Sequence, residues 1–358
     1  MTPDAATLVI AEAGVNHNGD PELALKLVDI AVAAGADVVK FQIFDSQQLA
    51  TAKAEKAGYQ QETTGAKETQ QQMLKALELS HADFIRIRDY CVAENIEFLA
   101  TAFDEPSLEF LLTLGVKRLK IPSGELTNLP FIRLHALTGL PLIISTGMAT
   151  VDEIRDALAM IAYTCLHGEK TPESLQKIRT SLVDYPPEKL AEHVTILQCT
   201  TAYPTSDTDV NLRVIPALAA TFGCPVGFSD HTADILAAPL AVALGARLIE
   251  KHFTLDRNLP GPDHKASLEP DALRDMIRSV RRSEAMLGSA EKSPSVIEAA
   301  NARVARKSLV AAHPLSEGQV LGAADITARR PGDGLSPAYF WDLCGQTAEH
   351  DYDPDQSF

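Results

Sequence analysis

Two histidines set after short apolar runs are the sharpest chemical signal in this sequence. GFSDHT spans residues 227–232 and IEKHF spans 249–253, so His231 and His252 are expected to end two successive strands. Neighbouring strands ending in imidazoles aim both rings at one point. Two neutral imidazoles with open positions suit a divalent transition metal acting as a Lewis acid on a bound carbonyl. A single histidine in such a place is more often a hydrogen-bonding group; the pair shifts the balance. Strand alternation is read as turning Glu250 away from His252. Lys40, Lys120 and Lys251 sit on or beside runs that should be apolar on both faces, where an unpaired lysine is costly. Lys40 and Lys120 share one end of the expected strands with Ser123, Ser145 and Ser229. Cations and hydroxyls converging there suit a phosphate or a carboxylate. The structural alternative is ion pairing with Glu12, Glu125 or Glu250.

Glu12, Glu125 and Asp263 are the carboxylates placed for proton handling or hydroxyl recognition. Gln42 and Thr101 end strands beside them, Asn16, His17 and Asn18 extend the polar rim, and Tyr203 is placed to stack on an organic ligand. Gly14, Gly124 and Gly147 would allow close backbone approach, and the cysteines and methionines read as packing. Three readings stay open on these residues. One is metal-assisted carbonyl chemistry with a phosphorylated, carboxylated partner. Another is a Schiff-base aldolase using a barrel lysine. The third is a carbohydrate-binding protein without catalysis. The paired histidines favour the first.

The elements that must position these groups follow a regular alternation. Strand-type runs occur at 7–14, 37–43, 97–102, 118–122, 141–146, 194–200, 225–229 and 247–253. Helix-period stretches separate them, such as Leu23, Leu27, Ile30 and Ala34, bracketed by Asp20-Pro21 and Gly35. A second such stretch, Ile235 to Leu244, has Asp230 to Thr232 before it and Gly245 after. Eight β-then-α units predict an α/β fold, a (β/α)8 TIM barrel. In a doubly wound open sheet, the alternative, polar residues would gather at one switch point. Here nearly every run ends in them. Residues 1–287 are therefore read as a barrel, 288–302 as a linker and 303–358 as a small β-rich domain with strand candidates SLVAA and ITARR. Residues 163–192, between the fifth and sixth strands, read as an inserted helical excursion after the fifth helix.

Composition removes other classes. Lys and Arg number 32 against 48 Asp and Glu, a formal charge of −16, which opposes nucleic acid or anionic membrane as a partner. No apolar run reaches the roughly 18 residues that span a bilayer. The opening MTPDAATLVIAEAG lacks a basic region before its apolar stretch, and five scattered cysteines without a CxxC fit reduced thiols. A cytoplasmic protein is expected.

Eight strings in order carry a resemblance: AEAGVNHNGD, VKFQIF, KIPSGEL, ISTGM, CTTAYPT, GFSDHT, EKHFT and GPDHKASLEP. Together they resemble the sialic acid synthase family, N-acetylneuraminate synthase and related nonulosonic acid synthases, and ARRPGDGLSP resembles that family's antifreeze-like (SAF) domain. The resemblance implies condensation of phosphoenolpyruvate with an N-acyl amino sugar in its aldehyde form, giving a 2-keto acid and phosphate by C–O cleavage. It implies Mn2+ or Mg2+ held by His231 and His252. Phosphoenolpyruvate contacts match Lys40, Thr101, Lys120, Ser123, Ser145 and Ser229. Contacts to sugar or intermediate and proton handling match Glu12, Gln42, Glu125, Tyr203 and Asp263. Thr201 stands where the family commonly has Asn at a carboxylate contact. The resemblance also implies a domain-swapped homodimer in which Arg330 approaches the acyl group of the sugar. GPDHKASLEP and the 59–79 stretch look more like N-acetylneuraminate and legionaminic acid synthases than pseudaminic acid synthases.

Overall fold

In the computed structural model, which describes residues 6–64 and 68–358, all eight apolar runs become strands. Residues 1–5, part of the N-terminal stretch, and 65–67, part of the 59–79 stretch, lie outside the described residues. The strands are β1 (Leu8–Gly14), β2 (Val38–Ile43), β3 (Glu97–Ala102), β4 (Leu119–Ile121), β5 (Leu142–Ser145), β6 (Val194–Cys199), β7 (Val226–Asp230) and β8 (Leu248–His252). They close into one parallel barrel in sequence order, with β8 returning to pair with β1. Parallel strands covered by helices on the outside are buried on both faces, which is why these runs are mostly apolar and carry their polar residues toward the C-terminal ends.

Inside the barrel, Ile10, Val38, Leu99, Ile143, Leu197 and Leu248 form one apolar layer. On β7 the same level carries Gly227, and the layer has no room for more: an added Cβ would sit 2.5 Å from the Leu248 carbonyl oxygen and 2.6 Å from Leu197 Cδ2. Side chains two residues further along a strand return to the same face. Above the layer therefore stand Glu12, Lys40, Thr101, Ser145, Cys199, Ser229 and Glu250. The barrel floor is hydrocarbon and the level above it is the chemistry.

Local signals set the helices. Asp20 accepts from Glu22 N–H at the start of helix Pro21–Ala34, and Gly35, at φ +81°, ends it in the left-handed region. The helix after β7 begins later than its apolar pattern, at Ala237–Ala243. Its turn is shaped by Asp234, which accepts from Leu236 N–H, while Asp230 belongs to β7. The 163–192 segment is helical: helix Val151–His167 runs into it, followed by Leu175–Asp184 and Pro187–His193.

Helix Leu129–Leu137 carries a fully buried histidine, His135, whose Nδ1 lies 2.9 Å from the Phe131 carbonyl. Burial lowers its pKa from 6.5 to about 4. The unfolded chain then takes up this proton first, so the contribution is intact above pH 6.5 and is lost as pH falls toward 4. Between about pH 7.5 and about pH 4.5 the wild type is expected to lose about 2 to 3 kcal/mol more unfolding free energy than His135→Leu. Denaturant titration at the two pH values measures this, and parallel losses in both proteins would refute it.

The chain divides into two units, one running through Gly288 and one of Ser289–Phe358. The second unit begins with helix Val296–Ala305, part of which falls in the segment read as a linker. It then pairs β9 (Ser308–Ala311) antiparallel to β10 (Ile326–Arg329) over a small core of Leu309, Leu315, Leu321, Ile326 and Tyr352. Ser357 bridges to Val310, so the last residues pair with β9. No described helix is long and apolar enough to cross a membrane.

Candidate active site

At the C-terminal ends of the strands lies a cavity of about 360 Å³. Fourteen of the residues that the family resemblance assigns to the site line it: Glu12, Lys40, Gln42, Thr101, Lys120, Ser123, Glu125, Ser145, Thr201, Tyr203, Ser229, His231, His252 and Asp263. Arg330 is not among them; it lies in the second unit, where its Nε donates to the Ala305 carbonyl at 3.0 Å. Asn16, His17 and Asn18 brace the rim rather than line the cavity. Asn16 Nδ2 donates to the Phe253 carbonyl at 2.8 Å and to Ser267 Oγ at 2.9 Å, and Asn18 Oδ1 lies 3.1 Å from His264 Nε2.

A buried charge cluster forms the floor. Lys40 pairs with Glu12, lies 3.5 Å from Glu250 and donates to Thr101 Oγ1 at 2.9 Å. Lys120 donates to Glu250 at 3.0 Å, and Ser229 Oγ donates to the same carboxylate at 2.8 Å. This corrects the reading of Glu250 as facing away from His252. Residues 250 and 252 are two apart on β8, the period of the pleat, so both point inward. Burial pushes the Glu250 carboxyl up, but Lys120 and Lys40 outweigh it and hold it well below the usual range. Glu12 is different: burial dominates, and despite Lys40 its pKa rises from 4.5 to about 7. Burial likewise raises Asp263 from 3.8 to about 6. For Lys40, burial is outweighed by Glu12 and Glu250 and the pKa rises, whereas burial lowers that of Lys120. Glu125 accepts from Asn128 Nδ2 at 2.7 Å.

The two imidazoles stand above this floor with ring centroids 5.7 Å apart. His231 sits one residue beyond β7 rather than on it. Its Nδ1 lies 2.7 Å from the Thr200 carbonyl, which makes Nδ1 the protonated nitrogen and leaves the Nε2 lone pair facing Ser229 Oγ at 3.3 Å. His252 Nδ1 is buried with no hydrogen-bond partner. Burial lowers His231 to about 4 and His252 well below its usual value, so both rings are neutral at pH 7. Tyr203 lies against His231 at 4.2 Å and edge-on to His252 at 5.9 Å. Among the described residues no group of three or more His, Cys, Asp or Glu forms a closed metal cage. Two neutral nitrogens, one of them unsatisfied, fit a divalent ion with its other positions open to a ligand.

Cys199 was read as packing, yet its Sγ lines the cavity 3.2 Å from Ser123 Oγ. Its position at the end of β6 was the available signal. Gly147 N–H donates to both Ser123 Oγ, at 3.0 Å, and Cys199 Sγ, at 3.1 Å. An added Cβ there would sit 2.3 Å from Thr201 Oγ1 and 2.9 Å from Ser123 Oγ. Gly147→Ala is therefore expected to displace the Ser123 and Thr201 side chains and lower kcat/KM by about tenfold or more, the kinetic equivalent of an overpacking strain of about 1 to 3 kcal/mol. Wild-type kinetics in this variant would show that the cradle is slack.

The NeuB family model matches residues 27–292 of this chain, and a SAF domain model matches residues 306–356. The chain is 43% identical over 337 residues to N,N'-diacetyllegionaminic acid synthase of Legionella pneumophila, covering 94% of this chain and 89% of that one. It is 42% identical over 353 residues to the protein of the same name from Campylobacter jejuni, covering 98% of each. Among solved structures it is similar to the N-acetylneuraminic acid (sialic acid) synthetase of Leptospira borgpetersenii in complex with citrate. That likeness has a TM-score of 0.67 and 31% identity, with 83% of this chain and 90% of that one covered.

Proposed function

The chain belongs to the NeuB family and ends in a SAF domain, and from that premise we propose that it condenses phosphoenolpyruvate with the aldehyde of a 2,4-diacetamido-trideoxy hexose. The products are a nonulosonic acid of the N,N'-diacetyllegionaminic type and inorganic phosphate. The observation that carries this reading is one cavity in which two buried lysines face two neutral imidazoles.

The enol carbon of phosphoenolpyruvate bonds to the aldehyde carbon, whose oxygen gains a proton. Water adds to the resulting oxocarbenium carbon and loses a proton, and the tetrahedral intermediate expels phosphate with its C–O bond. Lys40 and Lys120 bring two positive charges against the one of Glu250 and hold the phosphate and carboxylate, aided by Thr101, Ser123, Ser145 and Ser229. Glu12, with its pKa raised to about 7, is suited to take the proton from water and return one. Gln42, Glu125, Thr201, Tyr203 and Asp263 orient the sugar and the intermediate. When bound by His231 and His252, Mn2+ or Mg2+ would supply Lewis-acid polarisation of the aldehyde.

The relatives' printed names support the choice of sugar, and so does the cavity wall. Val15, Phe44 and Leu77 cluster there with Leu49, Leu74 and Phe103. Lys40 and Lys120 are the cations among the described lining residues, and both belong to the floor. An apolar wall suits a deoxygenated methyl and acetamido methyls better than a 6-phosphate. We further propose a homodimer in which the partner subunit's Arg330 meets the acyl group.

The test is phosphate release from phosphoenolpyruvate with N-acetylmannosamine, its 6-phosphate or the diacetamido-trideoxy hexose, each with chelator and again with Mn2+ restored. Release that is chelator-sensitive and fastest with the diacetamido sugar is expected. Release without any sugar dependence would overturn the proposal. No release, with borohydride trapping a keto acid on the protein, would move the reading to a Schiff-base aldolase.

A further inference from the structure

The alternation that turns Ser229, Glu250 and His252 into the barrel turns Asp230 and Lys251 out of it. These two stand opposite each other in the β7–β8 register, and neither is exposed at all. Lys251 Nζ lies 2.9 Å from Asp230 Oδ2 and donates to the Thr232 carbonyl at 2.6 Å, Thr232 Oγ1 at 3.1 Å and the Asp234 carbonyl at 3.0 Å. Asp230 Oδ1 accepts from Thr232 N–H at 2.8 Å. One ammonium thus gathers the whole turn that follows β7, and His231 is the residue enclosed between Asp230 and Thr232. On the other strand, Lys251 is the immediate neighbour of His252.

A buried ion pair is a weak way to gain stability, because desolvating two charges offsets most of their attraction and apolar residues of similar volume do as well. What an ion pair whose ammonium also donates to three fixed acceptors supplies is one conformation of the turn. Two backbone anchors act on the same residues: Thr205 N–H donates to the His231 carbonyl at 2.8 Å, and Leu268 N–H to the His252 carbonyl at 2.9 Å. We infer that the Asp230–Lys251 pair positions the two imidazoles, holding the turn after β7 so that His231 and His252 face one ligand from fixed places. Lys251 is a positioning residue, outside the cavity and without contact to substrate. The metal half of this inference rests on reading the imidazoles as the pair that holds the divalent ion.

The test uses the full chain labelled with 15N-histidine and freed of metal. The hydrogen-bonded Nδ1–H of His231, donated to Thr200, gives a spectroscopic readout that needs neither metal nor activity. In folded Lys251→Met this resonance is expected to shift or broaden, and calorimetric Mn2+ affinity to fall about tenfold or more, as for other groups that orient a metal-binding histidine. Lys251→Arg should recover part of both. A folded Lys251→Met that keeps the wild-type resonance and Mn2+ affinity would overturn the inference. If Lys251→Met fails to fold, Thr232→Val, which removes one acceptor of Lys251 and the hydroxyl's own donation to the Asp234 carbonyl, is read in the same two ways. Wild-type protein that binds no Mn2+ would instead sink the metal reading, and the His231 resonance alone would then decide the positioning role.

Discussion

His231→Ala and His252→Ala are each expected to lower turnover by roughly a thousandfold, the order found when one electrophilic group is removed from an active site. The argument is electrostatic. Both rings are buried and neutral, so neither serves as a cation toward phosphoenolpyruvate; their value is in their lone pairs. The Thr200 carbonyl fixes the tautomer of His231, and the unsatisfied Nδ1 of His252 makes it costly to bury without a ligand. On the proposed metal reading, removing a ring takes away one holder of the divalent ion without exposing the core, and the barrel should melt within a few degrees of the wild type. Phosphate release, Mn2+ calorimetry and a thermal melt on the same preparations measure the three parts. A variant with full turnover would remove the metal assignment, whereas loss of turnover with unchanged Mn2+ affinity would leave the histidine a hydrogen-bonding role alone.

Much of this site is written at one spacing. Six strands of the barrel carry an apolar side chain in the interior layer and, two residues on, a group that lines the site: Ile10 and Glu12, Val38 and Lys40, Leu99 and Thr101, Ile143 and Ser145, Leu197 and Cys199, Leu248 and Glu250. The strand ends were legible because burial on both faces leaves few places for a charge. Glu250 was misread through the alternation itself, since its partner His252 stands at the same phase. Its role depends on distances to lysines on β2 and β4, which no local pattern expresses. Asn16 and Asn18 stand at the rim, as read, but the partners that hold them there were hidden for a related reason. Their amides are consumed by Phe253, Ser267 and His264, groups more than 230 residues away in the chain. The Asp230–Lys251 pair was equally hidden: a lysine on a buried strand signals that a partner exists and gives no direction for it.

Lys120→Ala is expected to raise the KM for phosphoenolpyruvate by about a hundredfold with a smaller change in kcat. A charge-assisted contact to a bound anion contributes about 1.5 to 3 kcal/mol, and it is made before the chemical step as well as during it. The same substitution strips Glu250 of its nearer lysine, leaving Lys40 at 3.5 Å and the Ser229 hydroxyl. Breaking a buried pair costs about 3 to 5 kcal/mol when the survivor is left alone, and the remaining partners should keep the loss toward the lower end. Weakened substrate binding and weakened folding would then coincide, and the double variant Lys120→Met with Glu250→Gln separates them. It removes both charges at similar volume, so the melting temperature should return most of the way to the wild type. If Lys120 holds the phosphate or carboxylate, the KM for phosphoenolpyruvate stays high in the double variant. Were KM to recover together with stability, Lys120 would be a counter-ion for Glu250 and nothing more, and the anion would rest on Lys40 and the ring of hydroxyls.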